Sequence, residues 1–115
     1  MTSISSNAFK NNKEITKVTI GKNIKTIGVA AFNGCTKLSQ VTINSTVLKT
    51  IGKKAFYNNK KLKKVIIKSL KLKTVGKNAF SRKDGKRITF KVSKTKKKAY
   101  KKKLKKAKTN KFVVK

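Results

Sequence analysis

Apolar positions recur along this chain with a period of about two dozen residues. Four Ala-Phe pairs, Ala8-Phe9, Ala31-Phe32, Ala55-Phe56 and Ala79-Phe80, stand 23, 24 and 24 residues apart. Six residues after the first three Phe come Ile15, Leu38 and Leu62, nine after come Val18, Val41 and Val65, and eleven after come Ile20, Ile43 and Ile67. The second half of each unit supplies Ile24, Leu48 and Leu72, then Ile27, Ile51 and Val75, followed at once by Gly28, Gly52 and Gly76. Several positions agreeing in step at this period are the signature of a solenoid. A lone unit has too little apolar surface to offset the entropy of ordering it, so each must stack on its neighbours.

Within a unit, alternation of Val and Ile with outward residues predicts short strands at about 16–20, 39–43 and 63–67, and a fourth at about 87–92. The chain then crosses to the other side, where Ile-Lys-Thr-Ile-Gly, Leu-Lys-Thr-Ile-Gly and Leu-Lys-Thr-Val-Gly fit a short extended or turn segment better than a helix. The Gly of each is expected to adopt a positive backbone angle at the corner. The Ala-Phe pair is expected to pack inward, Ala where space is tight and Phe as filler. The fourth unit departs from the pattern: Ser-Arg-Lys-Asp-Gly-Lys after Phe80 lacks the earlier Leu, and Asp84-Gly85 signals a tight turn.

Periodicity stops after Val92. Residues 95–107 place Tyr100, Leu104 and Ala107 on one face of a helix otherwise made of lysine, with Thr95 as the expected N-cap. Thr109-Asn110 then turns the chain into Phe112-Val113-Val114, a final strand for the open edge of the sheet. The division expected is 1–92 as repeats, about three full units with a partial one at each end, and 93–115 as a lysine-rich cap.

The L-x2-V-x-I core and the A-F/I-G frame resemble leucine-rich repeats of the BspA-like type, found on secreted and surface proteins of bacteria and some protozoa. The resemblance covers roughly residues 1–92. It implies a right-handed leucine-rich-repeat solenoid, α/β only loosely, with a short parallel sheet, sparse helix and a C-terminal strand-helix-strand cap. It implies a scaffold for interaction at a cell surface or outside the cell, and no chemistry.

The charge changes the picture most. Of 115 residues, 34 are Lys or Arg against two acids, Glu14 and Asp84, a net of +32. Such a field attracts nucleic acid, anionic membrane and acidic polysaccharide alike. Only Arg82 and Arg87 are arginines, and a nearly all-lysine surface fits a solvated or polymer-contacting face rather than a reader of base sequence. Abundant Lys, Asn and Ile also suit an AT-rich coding sequence, which accounts for part of the charge without a partner. No run approaches the ~18–20 apolar residues of a membrane span. Met1 is followed by Thr-Ser-Ile-Ser-Ser rather than by a basic and then an apolar region, so no signal peptide is read here. Met1, Ile4, Ala8 and Phe9 occupy the places of Ile24, Ile27, Ala31 and Phe32. The chain thus begins inside a repeat, as the C-terminal piece of a longer protein would, and its open end is a surface for self-association.

Catalysis fails by inventory. With no His, one Cys and two carboxylates, the usual nucleophile and base pairs cannot be assembled. Glu14 and Asp84, three units apart, are expected roughly 14–15 Å from each other at ~4.8 Å per stacked strand, too far for a carboxylate pair. No cluster suits a metal, and no glycine-rich loop suits a phosphate cofactor. Cys35 lies three residues after Phe32, where other units place Asn12 and Asn59, and the resemblance to leucine-rich repeats implies a structural residue there that satisfies backbone at the turn.

Two surfaces remain as candidates. The outward face of the sheet is expected to stack Lys17, Gln40, Lys64 and Arg87 in one row, Thr19, Thr42, Ile66 and Thr89 in the next, and Gly21, Asn44, Lys68 and Lys91 in a third. This makes a shallow groove for an extended polar or anionic chain. The other surface is a basic patch of Lys96, Lys97, Lys98, Lys101, Lys102, Lys103, Lys105, Lys106 and Lys108, about nine charges within ~20 Å. The reading that follows is a non-enzymatic binding or adhesion module that engages host or neighbouring surface proteins or anionic glycans. Its rivals are non-specific nucleic-acid binding through the lysine helix, and a cap or spacer for binding repeats upstream. The few aromatics leave nucleic acid no stacking platform, and three apolar positions are too few to insert the helix firmly in a membrane.

Overall fold

The structure, a computed structural model, describes residues 2–82, 87–109 and 111–115. The place of Met1, the Asp84-Gly85 turn, the Glu14–Asp84 separation and the Asn110 part of the last turn lie outside them. In chain order the elements are β1 (Ser3–Ile4), β2 (Lys17–Ile20), β3 (Thr26–Ile27), β4 (Gln40–Ile43), β5 (Thr50–Ile51), β6 (Lys64–Ile67), β7 (Thr74–Val75) and β8 (Ile88–Val92). A 3-10 turn (Lys94–Lys96), α1 (Lys97–Lys106) and β9 (Phe112–Val114) follow.

The strands form two parallel sheets, β2-β4-β6-β8-β9 and β1-β3-β5-β7. Both follow from one repeat crossing the solenoid twice. In the larger sheet the inward positions stay in register, Val18↔Val41↔Val65 and Ile20↔Ile43↔Ile67. The crossing segments form the second sheet, with Ile4, Ile27, Ile51 and Val75 in one row and Ser3, Thr26, Thr50 and Thr74 in the other. Leu38, Val41, Ile43, Leu48 and Ile51 are fully buried between the sheets, whereas Ile15 and Val18, at the open end of the stack, are only partly covered.

The four Phe of the Ala-Phe pairs stack face to face down the solenoid. Ring centroids are 5.2, 5.1 and 5.1 Å apart from Phe9 through Phe32 and Phe56 to Phe80, with planes within 9°. Phe90 and Phe112 end the column edge-on, at 5.0 and 5.9 Å. The same pairs carry a backbone ladder. The amides of Phe9, Phe32 and Phe56 donate to the carbonyls of Ala31, Ala55 and Ala79 in the next unit, each at 2.7 Å. The Ala amides instead donate back within their own turn, as from Ala55 to Gly52 at 3.1 Å. Alternate amides therefore bond along and between repeats, and the residues that flip the chain adopt positive φ: Asn7, Ala30, Lys54 and Asn78 before the pair, Asn11, Gly34 and Asn58 after it.

Gly28, Gly52 and Gly76 do not supply those positive angles, contrary to the expectation from sequence. Their role is close approach. A Cβ on Gly52 would lie 2.7 Å from the Gly28 carbonyl carbon and the Val29 nitrogen, and one on Gly76 would lie 2.4 Å from the Lys53 nitrogen. The turns of successive units pack backbone on backbone here. At the far corner two serines do the linking. Ser45 Oγ donates to the Ile24 carbonyl (2.6 Å) and Ser69 Oγ to that of Leu48 (2.7 Å), while each accepts an amide two residues on.

After β8 the chain turns at once, and the helix starts later than expected. Thr95 is not its N-cap: it sits in the 3-10 turn, its hydroxyl 3.1 Å from that of Ser93, and α1 begins after Lys96 with no side-chain cap. Tyr100, Leu104 and Ala107 are buried, and the Tyr100 hydroxyl donates to the Ser69 carbonyl (2.7 Å) while accepting the Leu72 amide (3.2 Å). Burial pushes the Tyr100 pKa up, against a smaller lowering by the Leu72 amide. β9 pairs parallel with β8, Phe90 opposite Val114.

The packing of Gly52 yields a paired test by urea unfolding. Gly52→Ala should lower stability by roughly 2 kcal/mol or more, since backbone must move. Gly21→Ala, where a Cβ meets nothing within 4 Å, should change it by less than about 0.5 kcal/mol.

Candidate functional site

Strand alternation sends Lys17, Thr19, Gln40, Thr42, Lys64 and Ile66 outward on one face of the larger sheet. The register brings Lys17, Gln40 and Lys64 side by side, and Thr19, Thr42 and Ile66 beside them. Gln40 Nε2 donates to Thr42 Oγ1 at 3.4 Å, and the two half-buried polar side chains form the middle of the face.

The fourth strand is displaced by two residues from the expected alignment. Thr89, not Arg87, continues the Lys17 row, and Lys91, not Thr89, continues the Thr19 row. Lys91 therefore leaves the row of Gly21, Asn44 and Lys68, and Arg87 stands exposed before β8. The cause lies in the core. Phe90 opposes Val65, where it meets Phe80 edge-on, and Ile88, two residues earlier on the same face of the strand, is buried opposite Phe112 of β9. At this end Ile66, Leu70 and Val92 join Lys68, Lys91 and Ser93 around a groove of about 510 Å³, with Leu70 51% exposed. The face thus grades from polar to partly apolar along the stack.

The basic helix lies against the last full repeat. Lys97, Lys98, Lys101, Lys102, Lys105, Lys106 and Lys108 are exposed, Lys96 and Lys103 half-buried. Lys103 is held, its Nζ donating to the Lys73 carbonyl at 2.8 Å. The sequence reading missed Lys73 and Lys77, which come from the β7 segment and face Lys103, Lys106 and Lys108 across a cleft of about 380 Å³. No periodicity signals that approach, because the helix docks through Tyr100 and Leu104, far from Lys73 in sequence.

Cys35 takes the structural place expected of it. It is fully buried, its amide donates to Asn59 Oδ1 (3.1 Å) and its Sγ to the Phe9 carbonyl (3.3 Å). Burial pushes the thiol pKa up, against a smaller lowering by the backbone of Asn12, so the thiolate is disfavoured. Asn12 Oδ1 accepts the amides of Glu14 (2.9 Å) and Ile15 (3.2 Å) in the same role. In the fourth unit Arg82 serves instead. Buried at 5% exposure, it donates from Nη1 to the carbonyls of Asn59 (3.0 Å), Lys60 (3.4 Å) and Leu62. Among the described residues no three His, Cys, Asp or Glu come together to hold a metal, and no helix is long and apolar enough to cross a membrane.

Residues 2–113 match the family model described as the BspA type leucine rich repeat region, in six copies, a span that runs through α1 into β9. No curated protein matches the chain. Two solved structures share its fold. The pneumococcal vaccine antigen PcpA superposes with a TM-score of 0.68 at 24% identity, over 100% of this chain and 28% of that one. The leucine rich repeat protein TpLRR of T. pallidum does so with a TM-score of 0.53 at 21% identity, over 79% of this chain and 52% of that one. The chain thus spans about a quarter and half of these two structures.

The Arg82 contacts are testable by chemical unfolding. Arg82→Met should cost about 2–4 kcal/mol, because buried carbonyls lose a charged donor. The exposed Arg87→Met should cost less than about 0.5 kcal/mol.

Proposed function

The chain belongs to the BspA-type leucine-rich repeat family, and we propose that it is a non-enzymatic binding and adhesion module of a cell-surface or secreted protein, engaging proteins or anionic glycans. The observation that carries this reading is the pairing of a rigid, ladder-bonded sheet face with an almost uniformly basic surface. The Gln40 and Thr42 rows, flanked by Lys17, Lys64 and Lys91, offer short polar contacts at a fixed spacing of ~4.8 Å between strands. An extended chain laid across the strands along the Lys17, Gln40, Lys64 and Thr89 row meets a donor or acceptor at each step, and the ammonium groups favour one that carries negative charge.

The surface location rests on family membership, and the vaccine antigen among the structural neighbours agrees with it. Nucleic acid is served less well by these surfaces. Tyr100 is turned into the core, buried Arg82 is taken up by carbonyls, and lysine contributes point charges without the planar fork that reads guanine.

Salt separates the readings. Binding of a size-defined sulfated oligosaccharide and of duplex DNA of equal charge is measured from low salt to about 0.15 M, where screening reaches ~8 Å. The glycan should retain measurable affinity after the DNA signal has fallen away. Loss of both in parallel would reduce the interaction to bulk charge and overturn the glycan reading.

A further inference from the structure

We infer that the cleft between β7 and the C-terminal half of α1 is the seat of a sulfated polysaccharide, a subsite distinct from the sheet face. The inference rests on the glycan reading proposed above and gives it a location. Five lysines, Lys73 and Lys77 on one wall and Lys103, Lys106 and Lys108 on the other, surround about 380 Å³ with Val75 between them. That volume lies within the range of small-ligand sites, ~300–1,000 Å³. Among the described residues the one carboxylate side chain, Glu14, belongs to the first repeat, and none of the residues described around the cleft is acidic. A cleft walled by charge of one sign concentrates its field, and it does so more than the same charges spread over a convex helix.

Both walls are held in place. The Lys103 ammonium spans the cleft to the Lys73 carbonyl at 2.8 Å, which uses one of its three donors. The Asn78 amide donates to the Ala107 carbonyl (2.8 Å) and Ser81 Oγ to the Lys108 carbonyl (2.7 Å), riveting the end of α1 to the fourth repeat. Carbonyls in the last turn of α1 are occupied as well, those of Lys103, Leu104 and Lys105 by the amides of Ala107, Thr109 and Lys108, which lessens the negative end that an incoming anion would meet. The ligand class follows from what lines the space. Compact, hydrated ammonium groups suit sulfate oxygens as point charges, and Val75 offers a small apolar contact for a sugar ring. The cleft lining holds no aromatic ring to stack a base.

The test uses the whole chain and a sulfated oligosaccharide of defined length, at about 0.15 M salt. A cleft variant, Lys73→Gln with Lys77→Gln and Lys106→Gln, is compared with a control of equal charge loss in the first and second repeats, Lys10→Gln with Lys13→Gln and Lys37→Gln. Lys103 is kept because its bond is structural, and unchanged thermal melting confirms that both variants fold. The cleft variant should bind about tenfold more weakly or worse, and the control within about threefold of the parent. Equal losses in the two variants would overturn the cleft while leaving the glycan reading intact. With duplex DNA of equal charge measured alongside, a loss confined to the DNA would overturn the ligand class. Absence of glycan binding by the parent chain would remove the reading on which the inference rests.

Discussion

The structure depends on stacking one repeat upon the next, and the Ala-Phe pair is where that constraint is most tightly enforced. Strands in a parallel sheet are separated by ~4.7–4.9 Å, and the Phe rings, tied to those strands, lie 5.1–5.2 Å apart with nearly parallel planes. The Phe amide bonds to the next repeat while the side chains of Ala31, Ala55 and Ala79 disappear into the core, and only the first pair, Ala8-Phe9, stays exposed. A side chain larger than Ala would part the turns, and an aliphatic residue in place of Phe would leave the column unfilled. Glycine at positions 28, 52 and 76 serves the same end, since the turns meet there through their backbones. Once the repeat distance is set in this way, the two sheets, the serine corners and the Asn12–Cys35–Asn59 positions must also fall into line.

Much of this was legible in the sequence because a stacked repeat writes its packing distance as a period. The strands of the repeats and the structural place of Cys35 follow from counting residues between Phe positions, and the buried face of α1 follows from the helical spacing of Tyr100, Leu104 and Ala107. What escaped has physical reasons. A strand alternates with period two, so a shift of two residues keeps every apolar side chain inward, and the Ile88/Phe90 alternation alone does not reveal which of them opposes Val65. The edge-on contact with Phe80 decides it, and that contact is tertiary. Glycine signals either a positive φ or a close approach, and the sequence does not say which. Here Asn, Ala30, Lys54 and Gly34 take the left-handed positions of the turns, and Gly28, Gly52 and Gly76 take the crowding. The structural part of Arg82 is not legible in the sequence because its partners are carbonyls, which no residue type advertises.

The same rigidity shapes the surfaces. Because the ladders fix each strand against the next, the outward side chains of the larger sheet stand in straight rows, and α1 is anchored through Tyr100 and the end of the helix rather than left as a loose basic tail. The two-residue displacement in the last repeat matters for binding as well as for packing. It withdraws Arg87 from the face and brings Lys91 beside Ile66, next to exposed Leu70. The charge of the chain is spread widely, yet its arrangement is not uniform: it forms a polar face edged with lysine and a cleft walled with it.

The central claim, that contacts between adjacent repeats carry the fold, is tested most directly by double-mutant cycles on the Phe column. Phe32→Leu and Phe56→Leu, singly and together, measure the coupling between neighbours, and Phe32→Leu with Phe80→Leu measures it across an intervening repeat. Neighbouring rings should couple by about 0.5–1.5 kcal/mol, and the separated pair should be additive within ~0.5 kcal/mol. Additivity for both pairs, or coupling of equal size in both, would contradict the account.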